Sequence, residues 1–155
     1  EMTKYVSPHT LILISSVKSR SELPFKIRAA RIIPVYKLLN KKIFSFIANR
    51  DRTYKEVKRE KDKILYKQMY WDTGVDFLKW QIDAIVKWRF QNENLDIPFL
   101  HIHGSDDHTF LIKRIKVDII IEGGTHKMAI NISDTLLNYI TPFLYSKMED
   151  SLKLN

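Results

Sequence analysis

The sequence of 155 residues contains no cysteine and only four glycines. The absence of cysteine excludes disulfides, thiolate metal sites and a cysteine nucleophile within these residues. Neither a glycine-rich phosphate loop nor a dinucleotide-binding fingerprint occurs. No apolar run reaches the roughly 18 residues that a membrane span needs, so we expect no membrane partner. A reducing compartment fits the missing thiols, and we therefore expect a cytoplasmic location.

Charge is distributed unevenly along the chain. Lysine and arginine total 26 against 18 acidic residues, and hydrophobic residues make up 45% of the sequence, enough for a packed core. The excess charge lies in residues 18–63, which hold 15 basic and 5 acidic residues. Such a segment could attract nucleic acid, or it could form the solvated face of several helices. We favour the solvated face, and expect no nucleic-acid partner, because basic and aromatic residues do not alternate regularly.

Hydrophobic patterning divides the chain into strand-like and helical parts. Residues 11–16 form a short continuous apolar run, which is typical of a strand buried on both faces of a parallel sheet. Apolar residues at helical spacing dominate residues 21–92. Strand patterns return at 97–104 and 117–124, each ending in glycine, and a closing helix is predicted from residue 130 to residue 145. A parallel strand needs parallel neighbours, and only ten residues precede the first one, so we expect a part of a larger sheet.

Proline and threonine positions predict the helix boundaries. A first helix opens at Pro24 and is interrupted at Pro34. A third helix is capped by Thr53 and ends near residue 71, and a fourth begins at Thr73, where the spacing resembles a capping box. Pro142 is expected to disturb the last turn of the closing helix.

Two polar residues that follow predicted strands are the candidate catalytic residues. Asp107 follows the strand that ends at Gly104, and His126 follows the next strand after two glycines. Functional groups collect at the carboxyl ends of parallel strands, so neighbouring strands would bring these side chains together. An acidic group near an imidazole holds one tautomer and stabilises the imidazolium. Alternatively, Asp107 is an ordinary turn or capping residue, or Asp106 is the functional carboxylate in its place. His126 could likewise be an ordinary surface histidine.

Two more histidines, His101 and His103, alternate along one predicted strand and therefore share a face. Such a pair could suggest a metal site, but no third ligand with suitable spacing is evident. We expect them to pack or to hydrogen-bond beside Asp107 and His126, and we expect no metal. His108 borders Asp107 and could shape a pocket there.

The residues from Ile97 to Ile140 resemble the C-terminal end of an α/β-hydrolase. In that resemblance, residues 97–107 correspond to the strand and turn that deliver the acid, and residues 122–126 to the loop that delivers the histidine. Leu11–Ser16 resembles the strand that follows the nucleophile helix. The acid precedes the histidine, which agrees with the order in the family. The resemblance implies an α/β fold, with the C-terminal part of a hydrolase sheet in residues 1–20 and 93–155 and an inserted all-helical cap in residues 21–92.

The resemblance also implies roles for individual residues. Asp107, third after the glycine, corresponds to the triad acid, and His126 corresponds to the general base. Trp71, Trp80 and Trp88 of the cap would line a pocket for a small or medium apolar carboxylic ester or related acyl substrate. Core packing is the default interpretation for Trp80 and Trp88, which lie eight residues apart near one helix face, and pocket lining is the alternative. The chemistry implied is a two-step acyl transfer by a serine hydrolase without a cofactor. Other members of the family use an aspartate nucleophile on epoxides or haloalkanes, or cleave carbon–carbon bonds, and the residue that distinguishes these reactions is not in this sequence.

The family's G-x-S-x-G nucleophile elbow does not occur in these 155 residues. The chain therefore resembles the C-terminal fragment of a hydrolase, with acid and base present and the nucleophile absent, and we expect it to be inactive alone. Its expected partners are the substrate and the missing N-terminal half, or another copy paired at an open sheet edge. A noncatalytic binding protein of hydrolase ancestry and a basic nucleic-acid-binding helical domain remain alternatives.

Overall fold

The computed structural model describes residues 5–50, 56–89 and 97–152. Its strands β1 (Leu11–Ile14), β2 (Phe99–Gly104) and β3 (Ile119–Ile121) form one parallel sheet in the order β1-β2-β3. Ile14 lies opposite Ile102, and Ile102 lies opposite Ile119. The parallel sheet with its helices confirms the predicted α/β class, and each strand lies within a segment that the apolar pattern indicated.

Helices connect and cover the strands. The described helices are α1 (Phe25–Ala29), α2 (Lys41–Arg50), α3 (Glu60–Lys87), α4 (Met128–Asn131) and α5 (Ser133–Leu152), with single 3₁₀ turns at Arg20–Glu22, Val35–Leu38 and Ile112–Arg114. Three of them lie between β1 and β2, so residues 21–92 are mainly helical where described. None of the helices in the described ranges has both the length and the apolar character of a membrane span.

Several predicted helix boundaries differ from the structure. Gly74, at φ 68° and ψ 167°, interrupts α3 where a boundary was predicted. Thr73 does not cap the helix that follows, because its hydroxyl donates to the Met69 carbonyl one turn earlier at 2.8 Å. Thr53 lies outside the described residues, and α3 begins only at Glu60.

Pro142 was predicted to disturb the last turn of the closing helix, but the last turn lies further along the chain. Pro142 lies inside α5, which extends to Leu152. The helix packs against the sheet on both sides of Pro142, through Leu136, Ile140 and Phe143. Tertiary packing of this kind outweighs the roughly 3 kcal/mol that a proline costs inside a helix.

One face of the sheet forms the hydrophobic core. Alternate residues of the strands project to this face, and they pack against the buried side chains of Met128 and Leu136 from α4 and α5. Ile102, at the centre of β2, is fully buried. Burying one such side chain contributes about 1.5–3 kcal/mol. The core therefore fixes the sheet against the C-terminal helix, and the loop before α4 is fixed with it.

The exits of β2 and β3 approach each other at two glycines. A Cβ atom on Gly104 would lie 2.0 Å from the Gly124 carbonyl oxygen, so only glycine fits at this crossing. Gly123, which precedes Gly124, makes the turn out of β3 at φ 67°, and a Cβ atom there would meet open space. These two glycines thus serve different purposes, close approach and turn geometry.

We predict that Gly104→Ala lowers the free energy of unfolding by at least about 2 kcal/mol, because backbone atoms would have to move apart. Gly123→Ala, where only the positive φ is unfavourable, should cost about 1 kcal/mol. Urea denaturation of both variants measures the difference. Equal losses would show that the glycine–glycine approach is not a tight constraint.

Candidate active site

The loops that leave β2 and β3 are joined by backbone hydrogen bonds. The Ser105 amide donates to the Ile121 carbonyl at 3.0 Å, and the Asp106 amide donates to the Gly124 carbonyl at 2.9 Å. The Ser105 hydroxyl accepts from the Gly123 amide at 2.9 Å. Together these bonds hold the residues that follow β2 beside the residues that follow β3.

Asp107 is a buried carboxylate with several donors. It is 1% exposed, and its Oδ1 accepts from the amides of Thr109 at 2.7 Å and Phe110 at 2.8 Å. Its Oδ2 lies 2.9 Å from Nδ1 of His126. Burial by itself would raise the pKa of Asp107, but the hydrogen bond from His126 and those from the two amides outweigh it and lower the pKa. The carboxylate is therefore ionised at neutral pH.

His126 is held in one orientation. It lies between the glycine turn and α4, and its side chain is 22% exposed. Asp107 accepts from Nδ1, and the Phe110 ring stands edge-on to the imidazole with 5.4 Å between the ring centroids. Within the described parts of the chain, Nε2 has no hydrogen-bond partner. With the proton on Nδ1, the Nε2 lone pair is free to accept a proton from another molecule.

The structure thus brings Asp107 and His126 together, as the sequence pattern predicted for two neighbouring strand exits. The structure also confirms that His103 lies beside this pair, as expected from its place on β2, and it brings His103 against the same carboxylate. His103 is fully buried, and its Nε2 lies 2.8 Å from the Phe110 carbonyl and 3.3 Å from Asp107 Oδ2. Since both neighbours are acceptors, Nε2 of His103 carries a proton. A further sequence signal for this contact is the i, i+4 separation of His103 and Asp107.

His101 lies beside His103 on the same face of β2. Its Nε2 faces the Ser16 carbonyl at 3.0 Å, and the two imidazole centroids are 5.9 Å apart. Burial lowers the pKa of His101, so the ring is neutral. Nδ1 of each histidine is buried without a hydrogen-bond partner among the described residues. No cluster of three or more metal-ligating side chains occurs in residues 5–50, 56–89 and 97–152. His108 is exposed at the surface of the loop.

Ser15, at the exit of β1, is close to this site without joining it. It is buried and has φ 48°, an uncommon value for a residue other than glycine. Its amide donates to the Ile102 carbonyl at 3.0 Å, and its hydroxyl faces the Thr125 carbonyl at 3.5 Å. The hydroxyl makes no hydrogen bond with His126, so Ser15 is not placed as a nucleophile for this base.

The three tryptophans predicted to line a pocket lie in or at the end of α3. Trp71 is 41% exposed and stands edge-on to Phe44. Trp80 is 61% exposed and stacks on Phe77. Trp88 follows the last helical residue, and its carbonyl accepts from Arg20. Trp71 thus packs on the buried Phe44 with part of its surface exposed, whereas Trp80 presents most of its surface to solvent.

Comparison with protein-family models and with curated proteins finds no match for this chain. The function is therefore argued from the geometry of Asp107, His126 and their neighbours.

We predict the tautomers of the buried histidines from their partners. In the neutral form at about pH 9, His126 should carry its proton on Nδ1, whereas His101 and His103 should carry theirs on Nε2. Long-range proton–nitrogen NMR correlations distinguish the two forms, and the exposed His108 serves as the reference. A neutral His126 protonated on Nε2 would contradict the orientation by Asp107.

We also predict that Asp107 contributes stability that depends on pH. Its pKa is lower in the folded state than the unfolded value of about 3.9, so the contribution is present above that pH and is lost as the pH falls through the folded pKa. Asp107→Asn should reduce the free energy of unfolding by about 2 kcal/mol or more at pH 7, and the difference from the wild type should shrink below about pH 4.

Urea denaturation between about pH 2 and pH 7 checks the prediction, because it spans the titration of the carboxylate. The matched control is Asp106→Asn, since this neighbouring carboxylate is exposed and should change stability by less than about 0.5 kcal/mol. A difference between wild type and Asp107→Asn that is constant over the whole pH range would contradict an ionised Asp107.

Proposed function

We infer that Asp107 and His126 are the acid and base of a nucleophile–histidine–acid triad, and that this chain forms the C-terminal part of an α/β-hydrolase. The observation that carries this proposal is the 2.9 Å contact between Asp107 Oδ2 and His126 Nδ1 at two adjacent exits of parallel strands. Asp107 is buried and ionised, whereas the second nitrogen of His126 has no partner in the described structure. A histidine oriented in this way is suited to general-base catalysis.

The proposed reaction is acyl transfer from a small or medium apolar carboxylic ester. Nε2 of His126 accepts the proton of a serine hydroxyl as its oxygen forms a bond with the acyl carbon. The same proton then passes to the leaving alkoxide as the ester C–O bond breaks. Water repeats the sequence and releases the acid. Asp107 stabilises the imidazolium at both stages.

The nucleophile of this reaction is not among these residues, because they contain no nucleophile elbow and Ser15 does not bond to His126. We propose that it belongs to a strand that pairs with the outer edge of β1. In the described sheet β1 pairs only with β2, so its other edge is available. Parallel pairing there would bring one more strand exit to the edge of the sheet where Asp107 and His126 lie.

The helical segment between β1 and β2 is proposed as the cap over the substrate. It is inserted between two strands that are neighbours in the sheet, so its ends are close together. It also exposes large apolar side chains, among them Ile32 at 83% and Trp80 at 61%. Apolar surface of this kind suits an acyl group or the missing part of the sheet. Trp71, Trp80 and Trp88 remain the proposed substrate contacts.

We predict that a fluorophosphonate ester, which phosphorylates serines activated by a histidine base, labels the longest natural polypeptide that contains this chain. The label should lie on a serine outside residues 1–155. His126→Gln should slow labelling by at least about 1,000-fold, because the serine loses its base. The rate is measured by intact-protein mass spectrometry over time.

The control is His9→Gln, which removes an exposed histidine before the start of β1 and should leave the labelling rate within about twofold. Absence of label, or labelling that does not depend on His126, would contradict the hydrolase proposal and would favour the noncatalytic binding alternative. Ester turnover by the isolated 155 residues, abolished in His126→Ala, would instead contradict the assignment of the nucleophile to another segment.

A further inference from the structure

A second site is indicated by a cavity of about 370 Å³ at the C-terminal end of α3. Four cationic side chains line it: Arg31, Lys37, Lys87 and Arg89. They come from two separate parts of the chain, the turn after α1 with the following 3₁₀ segment, and the end of α3. The fold therefore gathers positive charge that is dispersed in the sequence.

Among the described residues, the carboxylate beside this cavity is Asp83, and it is already paired. Asp83 accepts from the Tyr36 hydroxyl at 2.6 Å and pairs with Lys87 at 2.6 Å. The hydrogen bond from Lys87, followed by that from Tyr36, lowers the pKa of Asp83, so this carboxylate is ionised. One carboxylate cannot balance four cations, and Arg31, Lys37 and Arg89 make no salt bridge within the described residues.

The carbonyl groups at the end of α3 do not supply the missing negative charge either. Arg20 donates from Nη1 to the Val86 carbonyl at 2.9 Å and to the Trp88 carbonyl at 2.7 Å. It thereby neutralises the partial negative charge of the helix C-terminus. The described residues thus place four cations and one paired carboxylate at this cavity. A bound anion would add favourable charge pairs there.

The shape and composition of the cavity select the kind of anion. Its volume is that of a site for a small molecule and not of a groove for a polymer. Two arginines can each hold a phosphate with paired hydrogen bonds, and several cations match a group with two or more negative charges. Tyr36 and Pro34, both partly exposed, also line the cavity and add apolar atoms, which suits an organic group attached to the phosphate.

We propose that this cavity binds a small organic molecule through a phosphate or diphosphate group. The phosphate lies among Arg31, Lys37, Lys87 and Arg89, and the organic part rests against Tyr36. This site does not depend on Asp107 or His126, and it gives part of the basic segment a role other than solvation.

Isothermal titration calorimetry of the chain tests the proposal, with pyrophosphate, adenosine diphosphate and adenosine as probes at a fixed ionic strength of about 0.1 M. We expect one saturable site for both phosphate probes with a Kd below about 1 mM, and no binding of adenosine alone. Tighter binding of adenosine diphosphate than of pyrophosphate would show that the organic group contributes.

Charge-removing variants locate the site. Arg31→Gln combined with Arg89→Gln should weaken pyrophosphate binding at least about tenfold, and Arg31→Lys with Arg89→Lys should weaken it less. The control removes the same charge elsewhere, by Lys113→Gln with Arg114→Gln on the exposed turn between β2 and β3. It should change the Kd by less than about twofold. Lys37→Glu provides a second, single-site variant, and far-UV circular dichroism checks that all variants remain folded.

Three results would overturn the proposal: no saturable binding of either phosphate probe, equal weakening in the control, or displacement of pyrophosphate by a single-stranded oligonucleotide at comparable phosphate concentration. The first two would leave the four cations as a solvated surface. The third would assign them to an extended basic face that binds nucleic acid.

Discussion

The buried charge of Asp107 is the constraint on which the candidate active site depends. A carboxylate taken out of water costs several kcal/mol unless donors surround it. Here the donors are the amides of Thr109 and Phe110 in its own loop and His126 from the loop after β3, while the His103 ring of β2 lies 3.3 Å from the same carboxylate. One side chain therefore binds three segments of the chain, and each segment is positioned by the need to satisfy it.

For His126 to reach Asp107, the loops that follow β2 and β3 must approach more closely than residues with side chains would allow. Gly104 and Gly124 meet backbone to backbone, and the amide of Asp106 donates to Gly124 across the gap. On the face of the sheet that carries Ile102, Met128 and Leu136 pack against the strands and hold α4 and α5 in place. The position of His126 thus results from a glycine contact on one side and hydrophobic packing on the other.

The sequence contains enough information for the strands and for the meeting of acid and base. Continuous apolar runs that end at glycines are a local signal, and parallel order places their exits at one edge of the sheet. The strand position of His103 indicated that it would lie beside the acid and base. Its particular partners, Asp107 and the Phe110 carbonyl, depend on how residues 105–118 fold back over β2. Helix boundaries were also poorly predicted: Thr73 bonds backward along its own helix, and packing carries α5 through Pro142.

The sequence also does not indicate which cations line the cavity at the end of α3. Arg31 and Arg89 are far apart in the sequence, and nothing in the composition of residues 18–63 indicates which cations gather around one cavity. A count of charges predicts an attraction for anions in general. Only the tertiary arrangement, with Asp83 already paired and Arg20 on the helix carbonyls, distinguishes particular side chains.

The large insertion between β1 and β2 has a consequence for how the molecule is assembled. Asp107 and His126 are only 19 residues apart, whereas the Thr10 hydroxyl reaches the Pro98 carbonyl across 88 residues. Loop closure costs more entropy as sequence separation grows, so β2 and β3 can nucleate with α5 before β1 joins them. The acid–base pair is then a product of local folding. The insertion meets this unit at α4, where the Asn131 side chain accepts from the Lys58 amide at 3.1 Å and donates to the Glu56 carbonyl at 2.7 Å. A sequence change at these contacts can therefore reach the loop that holds His126.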